Sequence, residues 1–513
     1  MNTPLQQKLA AINQNQWQWL FTFVSIFVAW RVIYIQQGWI NDDSVLYFEV
    51  ARLFSLGHWK EGFALYNWPL YPAIIAIVHQ ATNIAIQRVA QILDILFFSM
   101  TTFSFISLIR LAGGNKTTIL CGVTLLFSTP YIVGDVLPML LRDQGFWAFF
   151  LISITYFIHF HREPKFQTAL LWQMACIVAV LFRIEAITFL ALLPLILLVE
   201  NRQKKLKTWA YANSLSVLTF TCIILILLLH PTTRLTDFGR LNDLVEIFQK
   251  SNLKLTSTIV EKAHIMSDQV LGSFLNQYGM MALIVSLLTI LALQCITAAG
   301  WLVTLILAIN WKNIQSQLIP DTRKILYWTA TLAGLNAAVV VLSTFVLSGR
   351  YIVNLGFILL IFGSFSLSHF ISNSTKSRLK KALLIFITIV ISYNLISNFL
   401  PKNKEYNYEQ QAVTWLKNQN RTNAPVFYVS SRVRFYAGAP FTSRGYDYWE
   451  YVTKAIADGS IQKYDYLVIN MSGKNQDREK QLIDALPRHH LVKEFMGFRE
   501  KKKIMIFARN KNE

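Results

Sequence analysis

The sequence predicts a polytopic α-helical membrane protein with about eleven transmembrane helices and a small C-terminal α/β domain. Of its 513 residues, 54% are apolar and only 15% are charged, whereas roughly a quarter of the residues in soluble proteins are charged. Apolar stretches of around 20 residues, long enough to cross about 30 Å of hydrocarbon, recur along the first 400 residues. They stop after Pro401. We therefore divide the chain into a transmembrane domain (1–400) and a soluble domain (401–513).

The first apolar segment, residues 17–38, is expected to be an uncleaved membrane helix. It is longer and more aromatic than the apolar region of a signal peptide, and no small-residue cleavage site follows it. The four cysteines all lie within predicted apolar helices, where cysteine behaves as a small hydrophobic residue. They indicate neither a disulfide framework nor a CxxC metal site.

Hydrophobic length places the remaining spans. With the first, they are residues 17–38, 84–110, 116–137, 145–160, 168–183, 186–199, 209–229, 277–310, 325–347, 352–371 and 381–399. The stretch 277–310 is long enough for two helices, but two crossings would move the basic segment KSRLKK (376–381) to the opposite face. We therefore expect one crossing there, with a break or a surface segment near Gly300.

The distribution of basic residues predicts the orientation. The formal net charge is +20, and the basic residues gather in alternate loops such as NRQKKLK (201–207) and KSRLKK (376–381). With the N-terminus in the cytoplasm, these loops are cytoplasmic, and the loops in which acids match or outnumber bases, including the region 230–275, lie outside. This positive-inside pattern accounts for much of the basic excess, so nucleic acid is not the expected partner. It also sends the C-terminal domain to the periplasmic side.

The first outer loop, residues 40–83, is expected to form two helices on the membrane surface. SVLYFEVARLFSLGHW (44–59) has helical apolar periodicity, and NWPLYPAIIAIVH (67–79) is too short to span securely. Asp42 and Asp43 stand at the start of the first of these helices. This loop therefore holds an acidic pair at the membrane boundary.

The C-terminal domain alternates predicted helices and short β-rich runs, which is typical of a small α/β layer domain. The predicted helices are YEQQAVTWLKN and DREKQLIDAL, and the predicted strands are PVFYVS, YDYLVIN, LVKEF and KIMIFAR. The domain has no glycine-rich phosphate loop and no nucleophile elbow. We assign it no chemistry from sequence.

Charged residues gather on the predicted outer face. Candidate catalytic residues are Asp42 and Asp43; candidate phosphate-binding residues are Arg88, Arg142 and Arg350; candidate supporting residues are Asp143, Arg183, Glu185 and Tyr351. Ionisable residues at such depth usually face a cavity or one another. Arginine holds phosphate oxygens bidentately, and a carboxylate accepts the proton of an attacking hydroxyl as general base. This combination suits transfer of a group from a lipid phosphate.

Each of these residues also has a simpler interpretation. The acidic pair fits an N-terminal helix cap, and single outer arginines fit headgroup anchors. The neighbouring pairs Arg142–Asp143 and Arg183–Glu185 fit mutual neutralisation. His58 and His79 lack the companions that a metal site needs.

Two segments, NDDSVLYFEVARLFSLGHW (41–59) and YNWPLYPAIIA (66–76), resemble the first outer loop of the type C membrane glycosyltransferases. This superfamily includes protein O-mannosyltransferases and lipid A aminoarabinose transferases. Further matches are Arg88 at the start of the second helix, the turn with Pro138, Arg142 and Asp143, and the late Arg350–Tyr351 turn. The resemblance extends over roughly residues 17–370.

The resemblance implies an inverting transferase that takes a sugar from a polyprenyl-phosphate donor on the periplasmic or lumenal face. It implies Asp42 as the base, Asp43 as its neighbour, and Arg88, Arg142 and Arg350 as ligands of the donor phosphate or as residues that orient the acids. It implies a lipid, a polysaccharide or a protein as the acceptor.

The chain also departs from this family. NWP (67–69) stands where aminoarabinose transferases have Glu-Lys-Pro, so a metal-binding glutamate is missing and no clear ligand set for a divalent metal remains. This departure argues against aminoarabinose as the sugar. Asp-Asp in place of Asp-Glu points away from the protein mannosyltransferases.

Two other functions stay open at this point. One is a transporter or flippase that binds lipid-linked sugars without chemistry, and the other is a scaffold whose C-terminal domain binds a partner. Transporters often contain internal repeats and helices broken at the midplane. The sequence has no evident repeat, and its charges lie at one face, which favours an enzyme.

Overall fold

The computed structural model describes residues 13–36, 40–199, 205–229, 256–345, 347–373, 378–401, 407–441, 448–472 and 476–510. In chain order the helices before the soluble domain are α1 (Gln14–Ile35), α2 (Asp42–Ser55), α3 (Trp59–Leu65), α4 (Leu70–Thr82), α5 (Ile86–Leu111), α6 (Lys116–Phe127), α7 (Asp143–Arg162), α8 (Phe166–Phe182), α9 (Ile187–Leu192), α10 (Ile196–Val199), α11 (Lys205–Leu229), α12 (Thr256–Ile265), α13 (Gly279–Thr297), α14 (Trp301–Gln317), α15 (Pro320–Thr344), α16 (Val353–Asn373) and α17 (Arg378–Asn398). The loop segments 201–207, 230–275 and 376–381, used above for orientation, lie partly outside the described residues.

The helices confirm a polytopic membrane fold. Within the described residues, seven helices are long and apolar enough to cross a membrane, and the count rises to eight if α6 and the bent segment Pro130–Met139 form one span. The three further predicted spans fall on α7, on the shorter α8 and on the broken run Ile184–Val199. α7 packs against both α5 and α8, so these segments lie within the bundle.

The stretch 277–310 is broken near Gly300, as the sequence predicts. α13 ends at Thr297 and α14 begins at Trp301, with Gly300 at φ 88°, a left-handed conformation that glycine adopts without strain. Two contacts show that α14 runs parallel to α16. Ala298, just before α14, lies against Gly356 near the start of α16, and further along both helices Ser366 donates to the carbonyl of Ile306 (2.9 Å). α14 and α16 therefore pass through the bundle in the same direction.

The first outer loop folds into three helices instead of the two expected from sequence. α2 and α4 match the predicted pair, and the short α3 connects them. α2 packs against α4 and also against a helix of the C-terminal domain, so much of its surface is buried. It is therefore enclosed between the two domains instead of lying open on the membrane surface.

The C-terminal domain is a four-stranded mixed sheet with helices on both faces. Its elements are α18 (Tyr408–Gln419), β1 (Val426–Tyr428), α19 (Ser431–Ala437), α20 (Tyr448–Ala457), β2 (Tyr466–Ser472), α21 (Gln476–Asp484), β3 (His489–Met496) and β4 (Lys502–Arg509). The strand order is β1-β2-β4-β3, with β1 parallel to β2 and the other pairs antiparallel. Every helix and strand predicted there is present, whereas α19 and α20 were not predicted.

Alternation along the strands explains the two layers of helices. Leu467 and Ile469 of β2 pack with α20 and α21, while Val468 packs on the opposite face with α18 and α19. Successive strand residues point to opposite faces, so a strand that is apolar at every position is buried on both sides. This arrangement carries α19 to α2, where Phe435 and Phe48 contact with ring centroids 5.5 Å apart.

Candidate functional site

The acidic pair occupies the first turn of α2 but does not cap it. Asn41 is the N-cap, since its side chain accepts from the backbone N–H of Asp43 (2.9 Å) and its own N–H donates to Ser44 (3.3 Å). Carboxylates in a first turn are stabilised by the helix dipole, by about 0.3 to 1 kcal/mol at exposed sites. Because Asn41 supplies the cap, the carboxylates of Asp42 and Asp43 are available for other contacts.

The chain between α6 and α7 carries Arg142 and Asp143 into the same region through a tight turn. Leu140, just before this pair, adopts φ 54° and ψ 60°, a left-handed conformation that costs a residue with a side chain about 1 to 3 kcal/mol. Ser44 of α2 donates a short hydrogen bond to the carbonyl of Met139, and the side chain of Gln144 donates to the carbonyl of Val136 (3.0 Å). The first bond ties the turn to the helix that carries the acidic pair, and the second holds the turn against the start of α7.

Asp43 belongs to a cluster of alternating arginines and carboxylates. Arg350 donates to Asp43 (3.0 Å) and lies 3.8 Å from Asp143. Arg183 donates a short hydrogen bond to Asp143 and reaches Glu185 at 3.3 Å. The guanidinium carbon of Arg183 also lies 4.4 Å from the ring centroid of Tyr351. We call these six residues, Asp43, Asp143, Arg183, Glu185, Arg350 and Tyr351, the arginine–carboxylate cluster.

Arg142 is buried close to this cluster, but no carboxylate of the described residues is bonded to it. Its residue is 8% exposed, and its guanidinium lies 5.7 Å from the ring centroid of Tyr66. Its Nη1 atom is buried and has no hydrogen-bond partner among the described residues. An unpaired buried charge is costly, so this nitrogen is the candidate to bind an anion that enters the site.

Asp42 faces the other way, towards the C-terminal domain. Its Oδ1 atom accepts from the hydroxyls of Ser431 (2.9 Å) and Tyr448 (3.3 Å), and the Nε atom of Arg432 lies 3.6 Å away. Its Oδ2 atom has no hydrogen-bond donor within the part of the chain that the structure describes. The two neighbouring aspartates therefore contact different domains.

A groove of about 470 Å³ lies between α2 and the C-terminal domain. It follows the face of α2 that carries Val45, Phe48 and Arg52, and Ser431, which donates to Asp42, also lines it. Asp42 precedes Val45 by three residues, so it stands at the end of this helix face. A larger cavity of about 720 Å³, lined by Arg110 and Arg162, lies at the opposite ends of α5 and α7 and does not adjoin the acidic pair.

Arg88 is not part of the assembled site. It is exposed on α5, where its guanidinium donates to Gln91 of the same helix (3.4 Å). No contact among the described residues joins it to the arginine–carboxylate cluster. Sequence gives the end of α5 on which Arg88 lies but not the direction of its side chain.

Within the described residues, no group of three His, Cys, Asp or Glu side chains lies in an arrangement that could hold a metal ion. Asn67 and Trp68 stand where the resemblance to aminoarabinose transferases predicts a metal-binding glutamate followed by a lysine. The indole of Trp68 instead donates to the carbonyl of Val180 (3.0 Å), which joins α8 to the first outer loop. We therefore route no step of the chemistry through a metal.

Replacing Arg183 by glutamine is expected to destabilise the protein strongly. Its side chain is 5% exposed and neutralises both Asp143 and Glu185, and removing one partner from a buried ion pair costs about 3 to 5 kcal/mol. Thermal unfolding of the detergent-solubilised protein measures this loss. The matched control is Arg52→Gln, which breaks an exposed pair with Glu49 and is expected to cost at most about 1 kcal/mol. Equal effects of the two changes would contradict the assigned pairing.

The ion pair of Glu185 is expected to depend on pH. Burial acts to raise the pKa of Glu185, but the guanidiniums of Arg183 and Arg142 outweigh it and lower that pKa to about 2. A pKa lower in the folded than in the unfolded state stabilises the protein above the unfolded value of about 4.3. The difference in stability between wild type and Glu185→Gln should be constant from neutral pH to about 5 and shrink as the pH falls towards 2. A difference that does not change with pH would contradict this pairing.

These features define a class: a polytopic membrane protein with a cluster of acids and arginines beneath a C-terminal α/β domain. No protein-family model matches the chain, and no curated protein matches it. Among solved structures, the fold is similar to the crystal structure of ArnT from Cupriavidus metallidurans in the apo state. The TM-score is 0.55 at 12% sequence identity, and the match covers 96% of this chain and 98% of that chain. At this identity the similarity shows that the two chains share a fold, which is the kind of fold that the resemblance implies.

Sequence reasoning missed the residues that the C-terminal domain and the bundle interior bring to the site. Ser431, Arg432 and Tyr448 contact Asp42 from almost 400 residues away, and no local motif marks them. Asp94 of α5 is fully buried and accepts from Tyr71 (2.8 Å). A carboxylate inside an apolar helix is the one signal that was available, because such residues seldom lack a role.

Proposed function

We propose that the protein transfers a sugar from a polyprenyl-phosphate donor to a lipid, polysaccharide or protein acceptor, with inversion at the anomeric carbon. The proposal places this reaction at the periplasmic face of the cell's inner membrane. Support comes from the fold shared with ArnT, from the resemblance of the first outer loop, and from the assembled acids and arginines.

The unpaired guanidinium of Arg142 is the observation that carries the proposal. Arg183 and Arg350 already bond to carboxylates, whereas Nη1 of Arg142 is buried without a hydrogen-bond partner among the described residues. Arginine remains charged at any ordinary pH and binds phosphate through two parallel N–H bonds. A donor phosphate bound there satisfies the guanidinium and lies close to the acidic pair.

Asp42 serves as the general base in this mechanism. The proton of the acceptor hydroxyl moves to Oδ2 of Asp42, the atom that has no donor among the described residues. The acceptor oxygen attacks the anomeric carbon, and the bond from that carbon to the phosphate oxygen breaks. The products are the glycosylated acceptor and polyprenyl phosphate, and the proton leaves Asp42 for solvent.

The arginines stabilise the leaving group. Negative charge grows on the phosphate as the glycosidic oxygen departs, and fixed positive groups stabilise that charge without reorganising. Arg142 contacts the phosphate directly in this proposal. Arg350, which is held by Asp43 and Asp143, contributes from the side of the acidic pair.

The groove between α2 and the C-terminal domain is the proposed approach of the acceptor. It is lined by both apolar and charged side chains and by Ser431, which donates to Asp42. In this proposal an acceptor that enters through the groove reaches Asp42 first and the donor phosphate second. A single displacement requires the acceptor oxygen and the departing phosphate oxygen to lie on opposite faces of the anomeric carbon, so the proposal puts the sugar between Asp42 and Arg142.

Incubation of purified protein with polyprenyl-phosphate-linked sugars tests the proposal. A transferase releases polyprenyl phosphate and forms a glycosylated acceptor, whereas a flippase moves the donor across vesicles with the sugar still attached. Comparing glycolipids and surface glycans from wild-type and deletion strains identifies the acceptor. An extract of the deletion strain then supplies the unmodified acceptor for the assay. Intact donor in every reaction, together with transport across vesicles, would contradict the transferase proposal.

A further inference from the structure

The two adjacent aspartates are held by different domains. Asp43 is bonded to Arg350 of the transmembrane domain (3.0 Å). All the described contacts of Asp42 come from the C-terminal domain, where Ser431, Arg432 and Tyr448 converge on its Oδ1 atom. The orientation of the Asp42 carboxylate therefore depends on how the C-terminal domain is docked.

Arg432 is the charged member of this contact and is itself held firmly. It donates to Glu409 (2.8 Å), and the same carboxylate oxygen accepts from Asn470 (3.1 Å) and lies 3.4 Å from the hydroxyl of Tyr408. The side chains of Arg432 and Glu409 are 19% and 6% exposed. Residues of α18, α19 and β2 thus fix the guanidinium before it meets Asp42.

The charge of Arg432 persists despite its burial. Burial by itself lowers the pKa of Arg432, but the carboxylates of Glu409 and Asp42 outweigh it and raise that pKa above its ordinary value. Its Nε atom is buried, lies 3.6 Å from Oδ1 of Asp42, and makes no hydrogen bond to any described residue. A small inward movement of Asp42 would complete a charge-assisted hydrogen bond.

We propose that the C-terminal domain completes the active site, with Arg432 as a positioning residue that fixes Oδ1 of Asp42 and leaves Oδ2 directed at the acceptor. This inference rests on the proposed function, because it assumes that Asp42 is the base. Partner binding alone does not account for three side chains of this domain, Ser431, Arg432 and Tyr448, that converge on one carboxylate oxygen of the transmembrane domain. The domain therefore takes part in catalysis through Asp42.

Kinetics of four variants test the inference. Arg432→Gln is expected to lower kcat about 10- to 100-fold, because a misplaced catalytic group costs up to about 10²-fold, with little change in KM for the donor. Arg432→Lys should recover part of the loss, since it restores the charge. Ser431→Ala removes one hydrogen bond and buries no new group, so it should fold normally and lower kcat less. Arg509→Gln, which breaks an ion pair with Asp465 elsewhere in the same domain (3.7 Å), should retain wild-type kcat.

A measurement without activity separates this inference from the proposed function. Carbodiimide labelling of carboxyl groups, read by mass spectrometry, is expected to modify Asp42 several-fold faster in Arg432→Gln than in wild type or Arg509→Gln. If wild type releases no polyprenyl phosphate, the transferase proposal fails, and labelling still decides whether Arg432 holds Asp42. Wild-type kcat and wild-type labelling of Asp42 in both Arg432→Gln and Ser431→Ala would overturn the inference.

Discussion

Asp42→Asn is expected to lower the rate of sugar transfer by about 10²- to 10⁴-fold, the usual contribution of a general base. Asparagine keeps the size and most of the hydrogen bonds of the side chain but cannot take the proton of the acceptor. The contacts of Oδ1 with Ser431 and Tyr448 can be kept by the amide oxygen. The loss should therefore appear in kcat, with little effect on the expression or thermal unfolding of the protein. Release of polyprenyl phosphate by the purified variant measures it.

Two variants decide whether this loss is specific. Glu61→Gln removes a carboxylate from the same loop that is exposed and paired with His58, and it should leave the transfer rate unchanged. Asp43→Asn should reduce transfer less than Asp42→Asn, because Asp43 holds Arg350 and does not accept the proton. Full activity in both aspartate variants would refute the assignment. A larger loss in Asp43→Asn would move the role of base to Asp43.

Arg142→Met is expected to abolish transfer and at the same time to raise the thermal stability of the protein. Removing one donor that stabilises transition-state charge costs about 10²- to 10³-fold in rate. The same change deletes a buried guanidinium nitrogen that has no hydrogen-bond partner among the described residues, and a hydrophobic side chain in its place avoids the cost of burying that charge. Lower activity together with higher stability is the expected result for a residue whose role is to bind the substrate and not to hold the fold together.

One control and one ligand experiment make this prediction specific. Arg31→Gln removes an exposed arginine near the C-terminal end of α1. This change should alter neither activity nor stability. Added polyprenyl phosphate should raise the unfolding temperature of wild type but not that of Arg142→Met, since a ligand stabilises only the state that binds it. A variant that loses stability and activity together, as expected for Arg183→Gln, would indicate that Arg142 has a structural role instead.

The sequence indicated which charged residues belong to the candidate site but not which side chains they contact. Asp42, Asp43, Arg142 and Arg350 were identified because charges beside apolar helices are rare and therefore informative. Glu185, Asp143 and Arg183 were identified as supporting residues, and they do join one cluster. Arg88 was grouped with them because sequence gives the end of a helix on which a residue lies but not the direction of its side chain.

The C-terminal domain illustrates the same limit. Strong apolar alternation predicted its four strands, and helical periodicity predicted α18 and α21. The seven-residue helix α19 is too short to show periodicity, and it contains the residues nearest to Asp42. A domain that sequence reasoning left without chemistry is therefore the one that supplies every described contact of the proposed base.

The amino-acid sequence alone is enough to identify a polytopic membrane protein, an acidic pair after its first helix, and arginines that recur at the predicted outer face. Hydrophobic length and charge placement decide these features locally, because the bilayer acts on each segment separately. The packing of the folded chain sets which arginines are neutralised, which arginine of the site has no bonded carboxylate among the described residues, and which domain holds each aspartate. Those outcomes depend on contacts between residues up to about 400 positions apart, and packing, which no local pattern encodes, determines them.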